Sequence, residues 1–236
     1  MEKTIHSSSQ ETLYELLCAS AKRFGHKPAL YYMSSMFTYG RVLDEVNRLA
    51  ELLYAQGVGK GDRVFIALPN SPAFVITYFA IFKLGALAVP LSTSFTPKEM
   101  ASLIAHSRPT AGIVSEDVRQ AAEKSLELAG IGALLVTTGW DATGEIRYSV
   151  SGSPGPVETE RSAIAPADPA VILYTSGTTG RPKGVVLTHR NIISNTESCR
   201  AAMPVSEADV FIAFLPMYHS FGFTAVSYTH LRAHET

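Results

Sequence analysis

Apolar residues recur every three to four positions over residues 10–24, where Leu13, Leu16, Leu17, Ala21 and Phe24 share one face and Gly25 stops the run. That spacing predicts an amphipathic helix with a glycine cap. A short extended run follows at 28–33, then Phe37-Thr38-Tyr39 leads into a second helical pattern, Val42, Val46, Leu49, Ala50, Leu52 and Leu53, closed by Gly57. Arg63-Val64-Phe65-Ile66-Ala67-Leu68 reads as a buried strand after the Gly61-Asp62 turn. Residues 72–91 are almost wholly apolar but carry Lys83, Gly85 and Pro90. They have the length of a membrane span. The break at Lys83-Leu84-Gly85 instead suits a buried helix, N-capped by Ser71 with Pro72 in its first turn, running into a core strand at 86–89.

Thr96-Pro97-Lys98-Glu99 is a capping box opening a helix to about Ser107, and Ala111-Gly112-Ile113-Val114 is the next strand. A helix over 115–130, with Ser115 as N-cap, and a strand over 131–136 complete the alternation. Repeated strand and helix segments predict an α/β fold with mostly parallel sheets covered by helices on both faces. Residues 138–168 lose this rhythm in Gly, Ser, Pro and charged residues and read as a linker or surface excursion between a first lobe, 1–137, and the start of a second, 169–226. In the second part a strand at 170–174, a return strand at 185–187, a helix over 191–202 and an apolar strand at 209–215 are expected.

Composition narrows the class. Over 236 residues, 46% are hydrophobic and 17% charged, as in a globular protein with a sizeable core. The net charge of -1 argues against a nucleic-acid partner. Cys18 and Cys199 are too few and too far apart for a disulfide or metal framework. His230 and His234 have a helical i, i+4 spacing but no third ligand nearby. Residues 1–10 lack the apolar segment of a signal peptide, so a cytoplasmic location is expected, with at most peripheral membrane association.

The chemistry concentrates between the strands at 170–174 and 185–187, in Thr175-Ser176-Gly177-Thr178-Thr179-Gly180-Arg181-Pro182-Lys183-Gly184. Glycines let the backbone approach an anion and turn its N–H groups inward, while four hydroxyls and a lysine supply further donors. It is a polyphosphate cradle in type, yet neither the Gly-Lys-Ser/Thr loop nor the dinucleotide glycine pattern fits it. A flexible surface linker is the competing account, but linkers rarely join two apolar strands.

Residues Tyr174 to Val185 match, position for position, the form [YF]-T-S-G-[ST]-T-G-x-P-K-G-V. In this the chain resembles the adenylate-forming superfamily, which includes acyl-CoA synthetases, luciferases and adenylation domains of peptide synthetases. Gly61-Asp62-Arg63-Val64, Leu68-Pro69-Asn70-Ser71, Lys83-Leu84-Gly85-Ala86 and Phe214-Leu215-Pro216-Met217-Tyr218-His219-Ser220-Phe221-Gly222 resemble it in order, although Arg41-Val42 departs from its early segment. The likeness spans roughly 10–226 and implies part of the large N-terminal domain of such an enzyme.

The resemblance implies an AMP-forming acid–thiol ligase that uses ATP, Mg2+ and coenzyme A on a small-molecule carboxylate, with a fatty acid the expected acid. Thr175, Ser176, Gly177, Thr178, Thr179 and Gly180 would cradle the β- and γ-phosphates, with Thr178 near the magnesium. Lys183 would offset pyrophosphate charge, and His219 would stand where carboxylate and α-phosphate meet. Tyr218, by its type, is packing, and His189 is structural or capping. The resemblance also implies later segments that do not follow here, and residues 227–236 read as foreign or read-through sequence, so a fragment inactive by itself is expected. A non-catalytic nucleotide-binding remnant and an adenylation domain loading a carrier protein are the alternatives.

Overall fold

In the computed structural model, described for residues 11–141, 144–152, 162–175, 182–202 and 209–219, each element follows from its local sequence. Helix α1 (Leu13–Phe24) opens on a capping box: Thr12 Oγ1 accepts from Glu15 N–H while the Glu15 carboxylate takes the Thr12 N–H at 2.7 Å. Strands β1 (Pro28–Tyr32) and β2 (Ser35–Thr38) form an antiparallel ribbon, and Thr38 caps α2 (Tyr39–Ala55). Then come β3 (Arg63–Ala67), α3 (Pro72–Leu84), β4 (Leu87–Pro90), α4 (Pro97–Ser107), β5 (Ala111–Ser115), α5 (Glu116–Ala129), β6 (Leu134–Trp140) and β7 (Ile146–Ser151). The described chain continues through β8 (Pro169–Thr175), β9 (Lys183–Thr188) and α6 (His189–Ala202).

Seven strands form one sheet in the order β7-β6-β5-β3-β4-β8-β9. The pairs within β6-β5-β3-β4-β8 are parallel, and the two outer strands β7 and β9 run antiparallel to their neighbours. This is the expected α/β class with a mostly parallel sheet. Alternate strand residues go to opposite faces. Val64 and Ile66 join Ala88, Ile113 and Val136 against α1, α2 and α3, whereas Phe65 and Ala67 join Val89 and Val114 against α4 and α5. Both faces are thereby dry, the condition a parallel sheet needs.

Helix α3 lies at the centre of the first layer, buried around its whole circumference from Pro72 to Phe82. Its 13 residues span about 20 Å, short of a bilayer's hydrocarbon core. Among the described residues no helix is long and apolar enough to cross a membrane. Lys83, near its end, meets Asn47 Oδ1 at 3.0 Å and the Glu51 carboxylate at 3.5 Å, and Gly85 then takes the left-handed cap conformation at φ 68°. The capping box at Thr96 and Glu99 forms as expected.

Several expectations are corrected. The sixth strand begins at Leu134 rather than 131, because Gly130 adopts the left-handed cap of α5 and the chain needs three further residues to reach the sheet. Residues 138–140 finish β6 and 146–151 form β7, so regular structure enters the stretch read as a linker. Register pairs from Leu135↔Ser151 to Trp140↔Ile146 hold the two strands together. Trp140 stacks on Tyr32 at 5.5 Å and meets Phe37 edge-on, tying β6 to the β1–β2 ribbon. Strand β8 pairs with β4 through Ala88↔Val171, so the sheet continues into residues 169–188. Ser71 and Ser115 occupy N-cap positions without capping through their side chains; Ser71 Oγ donates to Pro69 O and Ser115 Oγ is buried without a partner. The run 209–215 is not a strand; Asn70 Nδ2 takes up the carbonyls of Ala213 and Leu215.

Gly112 on β5 lies under the ring of Phe65, and a Cβ there would sit 2.1 Å from two ring carbons. The ring is fully buried and has no free volume to enter. Gly112→Ala is therefore expected to lower unfolding stability by about 3 kcal/mol, the upper part of the overpacking range. Phe65→Leu in the same chain should recover a substantial part of that loss, read as urea midpoints at constant slope.

Candidate functional site

The parallel strands β3, β4, β5, β6 and β8 all end on the same side of the sheet, the edge where ligands of open α/β sheets bind. Thr175 is the last residue of β8 and Lys183 the first of β9, and the two are register partners. The hairpin thus clamps both ends of the connection 176–182 at this edge, with Thr175 and Lys183 both exposed. Gly184 faces Tyr174 across the ladder. A Cβ on it would come within 2.9 Å of Ile172 Cγ2, so glycine allows the strands to close immediately behind the loop. Ser176, Gly177, Thr178, Thr179 and Gly180 lie outside the described residues, as do residues 220–236 with the tail and its two histidines.

Tyr174, the first residue of the motif, is half-buried, and its hydroxyl lies 2.7 Å from Nδ1 of His106 on α4. Burial raises its phenol pKa above the ordinary value, offset in part by a side-chain hydrogen bond with Ser107. The hydroxyl stays protonated at neutral pH and ties the entry of the loop to the layer of α4. No spacing in the sequence signals this contact across 68 positions.

His219 is exposed, in a turn closed by its own N–H to Pro216 O at 3.0 Å. The segment before it is held by Asn70, which follows β3. Asn70 Nδ2 donates to Ala213 O at 2.9 Å and Leu215 O at 2.7 Å, and its Oδ1 accepts the Met217 N–H at 2.9 Å. An amide side chain thus holds the end of this segment by two carbonyls and one N–H, and 209–215 does not join the sheet. Met217 is buried against the core and Tyr218 packs partly against it, the role its type suggested. Strand β3 lies two strand spacings, about 10 Å, from β8, which brings the His219 segment to the same edge as the hairpin. Asn70 stood in a motif, but nothing in the sequence assigned it this task.

His189, at the start of α6, is structural as expected. It is fully buried; Nδ1 accepts the Leu13 N–H at 3.4 Å, Phe82 meets the ring edge-on at 5.5 Å, and the backbone N–H donates to Asp168 O. Nδ1 as acceptor requires the Nε2–H tautomer. Asp168 in turn accepts from Ala165 N–H and Lys60 Nζ, contacts that hold its carboxyl below the usual carboxylate range. Among the described residues no group of three metal-ligating side chains occurs.

Comparison with known proteins converges on one family. The profile of the AMP-binding enzymes, described as "AMP-binding enzyme", matches residues 17–234. The long-chain-fatty-acid–CoA ligase of Bacillus subtilis (strain 168) is 31% identical over 245 residues, covering 92% of this chain and 44% of the relative. The oxalate–CoA ligase of Arabidopsis thaliana is 32% identical, covering 91% and 42%. The chain spans about two-fifths of the length of these curated relatives. A solved putative long-chain-fatty-acid CoA ligase from Rhodopseudomonas palustris shares the fold at a TM-score of 0.80 and 22% identity, over 95% of this chain and 56% of that one.

Burial pushes the His189 pKa down to about 4, partly opposed by the Asp168 and Glu15 carboxylates. The unfolded chain binds the proton near pH 6.5, and the folded chain only near 4. The stability is therefore complete above pH 6.5 and lost as pH falls from there to about 4, by roughly 3 kcal/mol. Urea unfolding of the wild type and of His189→Asn, whose amide oxygen lies close to the Nδ1 position, should diverge in slope across that window. The variant is expected to be the flatter of the two.

Proposed function

Because the chain belongs to the AMP-binding enzyme family, we propose that it serves the ATP-dependent activation of a carboxylic acid, with coenzyme A as the acceptor and a fatty acid as the acid. The observation that carries the reading is the β8–β9 hairpin. It presents a Ser-, Thr- and Gly-rich connection at the carboxyl edge of a parallel sheet, with Thr175 and Lys183 paired at its base. Thr175 and the donors of Ser176, Gly177, Thr178, Thr179 and Gly180 are assigned to the β- and γ-phosphates, and the Lys183 ammonium to the charge that builds on leaving pyrophosphate. Magnesium, which would neutralise phosphate charge when bound, is assigned to the Thr178 hydroxyl.

A carboxylate oxygen of the acid attacks the α-phosphorus, and the bond to the bridging oxygen of pyrophosphate breaks. The product is an acyl-adenylate. The thiolate of coenzyme A then attacks the acyl carbonyl and AMP leaves. Substrate supplies the nucleophile in both steps, so the protein's task is alignment and charge stabilisation. His219 is assigned to the point where the carboxylate meets the α-phosphate. The two ligase relatives have nearly the same identity to this chain, 31% and 32%, yet one is named for long-chain fatty acids and the other for oxalate. The fatty acid therefore rests on the Met217-Tyr218-His219-Ser220-Phe221-Gly222 segment.

Calorimetry with MgATP on this chain, and isotope exchange between pyrophosphate and ATP in the extended gene product that carries it, over a panel of fatty acids, oxalate and amino acids, test the proposal. MgATP binding with exchange stimulated by fatty acids is the expected result. Lys183→Ala should cut the exchange rate by about a hundredfold, in the range of other lost charge-stabilising donors. Binding without exchange under any acid would identify a nucleotide-binding module instead. Exchange confined to amino acids would point to loading of a carrier protein.

A further inference from the structure

Asn70 uses its amide fully on a segment more than 140 positions away: two N–H donors to Ala213 O and Leu215 O, and the oxygen to the Met217 N–H. Carbonyls at 213 and 215 and an amide at 217 are the groups that one side of an extended chain offers to a ladder neighbour. One side chain thus does the work of a short strand. It can do so because it is itself fixed. Asn70 is half-buried three residues beyond the central strand β3, and the next residue, Ser71, opens α3, its Oγ donating to Pro69 O and its carbonyl accepting from Phe74 N–H.

We infer that Asn70 is a positioning residue for His219: it pins 213–217 to the carboxyl edge and so sets where the histidine stands. The inference rests on the functional reading above for its catalytic consequence, though not for its structural half. Between anchor and histidine lie only Met217, which is buried, and Tyr218, and the Pro216 turn closes on His219 N–H. Little slack separates the two. Removing the amide frees two carbonyls and one N–H from their partners and lets the histidine leave the edge. Aspartate in its place would remove both donors and set a carboxylate against two carbonyl oxygens.

Asn70→Ala and Asn70→Asp test this in the whole chain, with two readouts. The first is exchange of the Met217 amide hydrogen together with the NMR signals of the His219 ring. Asn70→Ala should speed Met217 exchange about tenfold or more, and both variants should shift the ring signals, while the Ile113 amide in the core keeps its protection. Unchanged Met217 protection in Asn70→Ala overturns the inference whether or not the chain is active. If Asn70→Ala loses Ile113 protection, the His219 ring signals of Asn70→Asp decide, and unshifted signals there overturn it.

The second readout is the pyrophosphate–ATP exchange of the extended gene product. Asn70→Ala should lower kcat about tenfold with the KM for ATP moved less than twofold. Adding His219→Ala to it should cost far less than the same change costs in the wild type. Fully additive losses would overturn the positioning role. Absence of exchange in the wild type would count against the ligase reading alone, and the anchor would then be judged on Met217 and the His219 ring.

Discussion

Parallel alignment is the constraint on which the rest depends. Strands β3, β4, β5, β6 and β8 point the same way, so their carboxyl ends and the connections that leave them share one edge. Such a sheet is stable only with both faces covered, which accounts for the two helical layers and for strand residues that are apolar without alternation, as in Val64-Phe65-Ile66-Ala67. It also accounts for α3, whose apolar circumference would be unusable on a surface. Burial of each Val, Ile or Phe contributes about 1.5–3 kcal/mol, and the two clusters contain many such residues. The place of the β8–β9 connection is a by-product of this geometry: a connection that leaves any one of the parallel strands emerges on the edge that the others share.

The hairpin β8–β9 adds what the parallel part cannot. A parallel crossover would carry the chain away from the edge through a dozen residues or more. An antiparallel return brings Lys183 straight back beside Thr175. The loop is therefore clamped at both ends by ladder hydrogen bonds, and its entry is tied to α4 through Tyr174 and His106.

Much of this was legible in the residues because it is local. The capping box at Thr96, the glycine end of α3 and the alternation of strand and helix need no information from distant positions. The motif at 174–185 was legible for the same reason: its donors, glycines and lysine are contiguous. What escaped the sequence is what depends on pairing. β7 is short, polar on one face and surrounded by turn residues, and only the free side of β6 makes it a strand. His106 meets Tyr174 because Tyr174 packs against the apolar cluster that α4 covers, which no periodicity encodes. The start of β6 was misplaced because Ile131 and Ala133 are apolar, while the left-handed Gly130 sets the direction in which the chain leaves α5.

The run 209–215 shows the limit most clearly. Its hydrophobicity is that of a core strand, yet Val210, Ile212 and Phe214 are each more than three-quarters exposed. Hydropathy reports what a segment would gain by burial and says nothing of which backbone will pair with it. An extended segment needs partners for its carbonyls and amides as well as cover for its side chains. Here Asn70 satisfies the first need at three points, and Met217 provides the anchor for the second, so the segment is fixed in place without being enclosed. Three hydrogen bonds from one side chain hold its end, while Val210, Ile212 and Phe214 stay exposed.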